Sequence, residues 1–352
     1  MNRSNLITFI FIGVISLSFS CSDEFPALDV PEQEFQINDG DFEVLFENQP
    51  EYGINIMIMG EGFTREDIES GLYKESLSSD IERLFTVYPL SDYKQHFNVY
   101  LIYAISKDEG FSICEVDDKN TALSVSFDPT KSPPAPRFRW STWKVRRYAK
   151  GGALKSKYNH VSFVSIKNPN ELPMGGVATL NRGFEGQALY QSGAVGTMAH
   201  EFGHAFASLG DEYRVEDQEQ FTDSIVERYK LRTALFPNID TVPEYESVKW
   251  SKYRFIPGYE EVGTFKGAHY VDGKMWRPEE NSIMDRGGRF NAPSREAIVF
   301  RIAQLAKFYF DFDAYIERDR QEKDRVNRAV FMGPRFPCEG FFTESEVSQE
   351  VD

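Results

Sequence analysis

Cysteine is scarce in this chain, with three among 352 residues. No two of them form a CxxC pair, which removes cysteine-based zinc sites from consideration. Histidine is also sparse, at five residues. Basic side chains are outnumbered, 39 Lys and Arg against 55 Asp and Glu, for a formal charge of −16. So acidic a chain repels phosphate backbones, which argues against nucleic acid as a partner. The acidity itself names no substrate; its ordinary effect is solubility. Beyond the first twenty residues no segment is apolar enough to cross a membrane, and no internal repeat is visible. What is abundant is core material: 41% hydrophobic and 14% aromatic residues, enough for one large domain or two unequal ones.

The first twenty residues stand apart. Arg3 supplies a positive start, and residues 6–15 form an apolar run too short for an anchor but suited to a signal peptide. The run ends in Ser18-Phe19-Ser20-Cys21, which resembles a bacterial lipobox with Ser18 where an aliphatic residue is usual. Residues 1–20 are therefore expected to be a lipoprotein-type signal peptide. Cys21 would carry the lipid, and the exported chain would be anchored to the bacterial outer membrane or cell surface. An ordinary secretory signal is the alternative. Residues 21–51, with Pro26, Pro31 and Pro50, read as a tether that includes at most one strand, at 42–46. Cys114 and Cys338 lie far apart, and the sequence is compatible with a bridge or with two free thiols.

Folded structure is expected over residues 52–335, followed by a C-terminal tail at 336–352. Ile54, Ile56 and Ile58 alternate with Asn55, Met57 and Met59 as in a buried strand. Thr64 with Asp67 three residues on is a capping box for a helix running to about Pro89, weakened at Gly71. Residues 97–104 and 160–166 read as further strands, and 177–180 as a short one. Residues 137–150 are basic and hold Trp140 and Trp143; they read as a solvated surface stretch. Residues 194–209 have helical pattern and length. The stretch 211–290 is long and irregular, with a helical piece near 223–235. Pro293 suits a helix first turn, with Ile298, Ile302, Leu305, Phe308 and Tyr309 as its apolar face. A last charged helix is predicted for 313–330. This order suggests one α/β (α+β) domain with its sheet in the N-terminal half.

The chemistry resides in His200-Glu201-Phe202-Gly203-His204. On a helix, positions i and i+4 share a face, so both imidazoles can bind one zinc ion. Glu201 lies beside the first ligand and can take a proton from a water that the metal acidifies. Zinc needs a third protein ligand. The helix is expected to end near Gly210, a good C-cap residue, and the chain turning there brings Asp211 over the metal. Asp211 is the favoured third ligand; Glu212, His269, His160 and His96 are the alternatives.

At this point the sequence resembles a known group. Residues 200–213, HEFGHAFASLGDEY, are similar to the bacterial IgA-peptidase family of metzincin zinc metallopeptidases. So are residues 57–64 (MIMGEGFT), 97–100 (FNVY) and 276–285 (WRPEENSIMD). The resemblance implies a zincin domain with a twisted mixed sheet, an active-site helix, a Met-turn and C-terminal helices. Met284 would form the apolar floor of the metal site. It also implies that substrate adds as a strand along a sheet edge, for which 177–180 is the candidate. The general metzincin pattern has Gly at the third position after the second His and a ligand at the sixth. Here those are Ala207 and Gly210, so Asp211 serves only if the turn is one residue longer. Where several metzincins have a Tyr two residues after the Met, this chain has Arg286.

The expected function is an exported zinc endopeptidase acting on extracellular protein or peptide. One alternative is a surface-binding lipoprotein on a retired peptidase fold. Another is a zinc amidase of cell-wall peptides.

Overall fold

The structure, a computed structural model, describes residues 36–323 except 132–136, 152–153, 155–156, 180–184, 216–217 and 220. Residues 1–20, expected to be a signal peptide, Cys21, Cys338 and the expected tail at 336–352 lie outside the described residues.

In chain order, β1 (Phe42–Glu47) precedes β2 (Ile54–Glu61). Thr64 then caps α1 (Arg65–Glu69), its backbone N–H donating to Asp67 Oδ2 at 2.8 Å. Gly71, at φ +82°, turns the chain before α2 (Leu72–Leu84). The left-handed residue breaks what the sequence predicts as one helix, and a third piece, α3 (Leu90–Tyr93), follows. β3 (Phe97–Ile102) leads to a small sheet of β4 (Ser112–Ile113), β5 (Ser126–Phe127) and β6 (Phe138–Arg139). Next come α4 (Thr142–Ala149), β7 (Val161–Ile166), β8 (Val177–Ala178) and β9 (Gly186–Gln191). Then follow α5 (Val195–Ala207), α6 (Asp223–Thr233), the hairpin β10 (Phe265–Ala268) with β11 (Val271–Arg277), α7 (Ala292–Ala306) and α8 (Phe312–Glu322).

The main sheet is mixed, in the order β1-β3-β2-β7-β9-β8. Its four inner strands are parallel, and β1 and β8 run antiparallel on the two edges. Inner parallel strands are covered on both faces, and the period-two alternation of β2 shows how. Ile54, Ile56 and Ile58 join Val99, Leu101 and Phe163 against Leu77 of α2, Phe202 of α5 and Ile298 of α7. Met57 and Met59 point the other way, to Tyr100, Val164, the small sheet and Val145 of α4. Among the described residues no helix is long and apolar enough to cross a membrane.

Three expectations need correction. The strand β9 is not foreseen by the sequence pattern: GQALYQ has no alternation and begins with Gly. Its strand character comes from pairing with β7 and from α5, which packs so close that a Cβ on Gly186 would stand 2.2 Å from the Ala205 carbonyl oxygen. The basic stretch 137–150 is partly a helix, α4, capped by Ser141 and burying Val145 and Ala149. The strand expected at 42–46 is present as β1, which pairs with β3 from Phe42 onward. Finally, α7 stops at Ala306, where Lys307 adopts φ +58°. That turn takes Phe308 and Tyr309 off the helical stripe; Tyr309 is 87% exposed. The last helix is described to Glu322, and its expected continuation to 330 lies outside the described residues.

Candidate metal centre

The helix α5 lies against β9 and α7, burying Val195, Met198, Phe202, Ala205 and Phe206. His200 and His204 share its opposite-facing rim by the i, i+4 spacing. The helix ends earlier than expected. Ser208, at φ +55°, takes the C-cap position, and Gly210 has another reason to be glycine. A Cβ on Gly210 would lie 2.4 Å from Ile239 Cδ1 and 2.8 Å from Phe236 Cδ2. The earlier stop leaves the Leu209 carbonyl beside His204 and returns Asp211 over the two imidazoles.

His200 Nδ1 bonds the Ile283 carbonyl at 2.8 Å, and His204 Nδ1 bonds the Leu209 carbonyl at 2.6 Å. Carbonyls only accept, so each Nδ1 carries the proton and each Nε2 presents a lone pair. The two Nε2 atoms stand 3.1 Å apart, and Asp211 Oδ1 is 3.0 Å from one and 3.2 Å from the other. A tetrahedral ion with ligand bonds of about 2.0–2.1 Å holds its donors about 3.3 Å apart. Two imidazole nitrogens and a carboxylate oxygen at this spacing therefore fit a divalent cation of the zinc type. Burial works to raise the Asp211 carboxyl, but in the absence of a cation His204 and His200, when protonated, outweigh it and hold it well below the usual range.

The opposite oxygen of Asp211 accepts from the Tyr270 hydroxyl, and its backbone carbonyl accepts from His269 N–H at 2.8 Å. Both donors sit at the tip of the β10–β11 hairpin, at φ +48° and +72°. For residues with a Cβ that region costs on the order of 1–2 kcal/mol each.

Glu212, the second carboxylate after the helix, does not join the three-donor cluster. Fully buried, it accepts from Asn238 Nδ2 at 2.6 Å, Asn291 Nδ2 at 2.6 Å and Ser282 Oγ at 2.7 Å. Its backbone N–H donates to the Met284 carbonyl at 2.7 Å. One carboxylate thus ties the ligand turn to the 282–284 turn and to the start of α7. Burial pushes it up to about 7 against those donors. The three remaining histidines also stand apart from the cluster. His160 accepts from Asn55 N–H at 3.0 Å, and His96 packs 5.0 Å from Phe308. The ring of His269 is buried between Tyr229 and Phe236. Arg286 is exposed.

Met284 is fully buried beneath α5. Its Sδ lies 2.9 Å from where a Cβ of Gly203 would stand, so this glycine lets the 282–284 turn approach the helix.

Glu201 is buried, and its Oε2 has no hydrogen-bond partner among the described residues. Burial pushes its carboxyl up to about 8, with His200 opposing and Asp211 adding. A cation at the three donors acts in the opposite direction. The segment leading into the edge strand β8 crosses this side chain. A Cβ on Gly176 would lie 2.6 Å from Glu201 Cγ and Oε1 and 2.7 Å from Thr197 Cγ2. In the sequence Gly175-Gly176 marks only a turn; the contact with Glu201 is visible only in three dimensions. On the proposal made below, that Glu201 is the general base, Gly176→Ala is expected to displace the carboxylate and lower kcat about 100-fold, as misplacement of a reacting group by an ångström does. Metal content and melting temperature should stay near the parent's; an unchanged kcat would show that the helix can absorb the methyl.

A family model described as IgA Peptidase M64 matches residues 45–257, which include both histidines, Glu201 and Asp211. The chain belongs to this family. It is accordingly a peptidase, a hydrolase of the metallopeptidase kind, and protein or peptide is its substrate class. The matched segment of this M64 peptidase covers all of the main sheet except the first three residues of β1, and it ends before Met284. No curated protein matches the chain.

Proposed function

We propose that this M64 peptidase is an exported zinc endopeptidase in which His200, His204 and Asp211 hold the ion and Glu201 is the general base. The observation that supports this most directly is the convergence of three ligand atoms at 3.0–3.2 Å beside a buried carboxylate with one unpartnered oxygen. Zinc held there would supply Lewis acidity, acidifying water and polarising the scissile carbonyl. Glu201 accepts the proton of the attacking water and passes it to the departing amine nitrogen, so that one water is consumed and one peptide bond is broken. The Nδ1–H bonds to Ile283 and Leu209 keep both imidazoles in the ligating tautomer. In this reading α5 is the active-site helix, and the turn with Met284 is the Met-turn that floors the site.

The edge strand β8 is the proposed substrate rail. Among the described residues it pairs with β9 on one side only, and Gly176 places its approach against Glu201. A polypeptide in extended form can add to such an edge through main-chain hydrogen bonds. We further propose that residues 1–20 direct export, that Cys21 carries a lipid anchoring the protein to the outer membrane or cell surface, and that extracellular proteins are cleaved there.

The deciding experiment uses protein expressed from residue 22 onward, wild type and Glu201→Ala. Zinc is quantified by elemental analysis, and cleavage is scored on a mixed protein pool. About one zinc in each, with cleavage lost only in the variant by about 100-fold or more, is the expected result. Zinc without cleavage of protein by the wild type would turn the assignment toward a retired enzyme or a cell-wall amidase. Absence of stoichiometric zinc in both would defeat the metal assignment.

A further inference from the structure

The β10–β11 hairpin closes with Ala268 paired to Val271, leaving His269 and Tyr270 as its two loop residues. Both have positive φ. Two-residue loops of that kind normally hold Asn-Gly or similar, because bulky side chains resist the conformation. Here two aromatic rings occupy it. Strain of this sort persists where the surroundings enforce it and gathers at functional sites.

The tip grips the ligand turn at three points. His269 N–H donates to the Asp211 carbonyl at 2.8 Å, Tyr270 N–H donates to the Tyr213 carbonyl at 3.0 Å, and the Tyr270 hydroxyl donates to Asp211 Oδ2. The Tyr270 ring is itself held, 5.2 Å from Tyr213 and 5.0 Å from His269 between centroids. The irregular stretch after the ligand turn supplies the foundation, since Tyr229, Phe236 and Ile239 pack with Ala268, Val271 and Met275.

We propose that Tyr270 is a positioning residue: its hydroxyl occupies Oδ2 of Asp211, so that Asp211 offers the cation a single oxygen, Oδ1. A carboxylate free at both oxygens can ligate through either or both and can swing about its bond. One bound at Oδ2 is held against swinging and has one lone pair fewer to offer there, so Oδ1 stays where it faces both Nε2 atoms. The inference rests on the metal assignment made above and adds to it the device that sets the mode of ligation. A purely packing role is distinguishable, because Phe at this position would keep every ring contact and lose only the hydroxyl.

The test measures zinc affinity of the chain from residue 22 by competition with a chelator, for wild type, Tyr270→Phe and Tyr229→Phe. The last is a control from the same aromatic cluster whose hydroxyl does not bond Asp211. Loss of a partner behind a metal ligand weakens binding by about 10–100-fold, and that loss is expected for Tyr270→Phe alone, with the metal-free melting temperature near the parent's. Equal affinity in all three would overturn the proposal. X-ray absorption of the zinc-loaded wild type gives a second reading that needs no variant. About four light-atom neighbours are expected, and a shell with both Asp211 oxygens bound would also overturn it. If the wild type bound no zinc, the metal assignment would fail instead, and the two failures are thus separable.

Discussion

Asp211→Ala is expected to bind zinc more than about 100-fold more weakly than the parent and to cleave no protein above background. The loss of an outer partner alone costs about 10–100-fold, and removing a ligand must exceed that. The variant keeps two neutral imidazole nitrogens 3.1 Å apart and loses the anionic donor of the cluster. The fold should survive, because Glu212, and not Asp211, ties the ligand turn to the 282–284 turn and α7. The histidines that the sequence left open supply the contrast. His96→Ala, His160→Ala and His269→Ala should each keep one zinc per chain, since none of those rings belongs to the ligand cluster. Chelator competition with circular dichroism on the same samples measures both halves. Zinc retained by Asp211→Ala and lost from one of the histidine variants would reassign the third ligand.

The largest effect on stability is expected at Asp319. Arg295 of α7 is 1% exposed and bonds Asp319 of α8 in a fork, Nε to Oδ1 and Nη2 to Oδ2, both at 2.8 Å. Its remaining nitrogen donates to the Phe290 carbonyl at 2.5 Å, and Tyr259 donates to Asp319 Oδ2 at 2.7 Å. Asp319→Ala leaves the guanidinium buried without its counter-charge, which costs about 3–5 kcal/mol. At this chain length that lowers the melting temperature by on the order of 10 °C. Replacing both partners by apolar residues, Arg295→Met with Asp319→Leu, should recover most of the loss, because a buried pair contributes little net over well-packed hydrocarbon. Denaturant titration of the singles and the double measures the cycle. A single variant within about 1 kcal/mol of the parent would mean that water reaches Arg295.

Much of this could be read directly from the chain where the signal is local. The alternation in β2, the Thr64–Asp67 capping box and Pro293 in the first turn of α7 depend on neighbours within a few residues, and the structure has them where the pattern places them. His200 and His204 belong to the same class, since helical spacing alone puts them on one face. The misses share the opposite character. β9 is a strand because β7 and α5 enclose it. Gly210 is glycine for Ile239 and Phe236, remote in sequence, and not for the helix end. Glu212 reads as a spare ligand beside Asp211, yet its partners come from residues 238, 282 and 291.

By itself, then, the sequence determined the helix with its two histidines and the glutamate between them, and it pointed to Asp211. Each of those is a matter of backbone periodicity within a single turn or two. Only the tertiary structure decided that Asp211 faces both imidazoles, that Tyr270 holds its other oxygen, and that Gly176 brings the sheet edge to Glu201. These are contacts between segments as far as 59 residues apart. No local propensity encodes them, because they exist only once β10 and β11, the ligand turn and the edge strand have packed around α5.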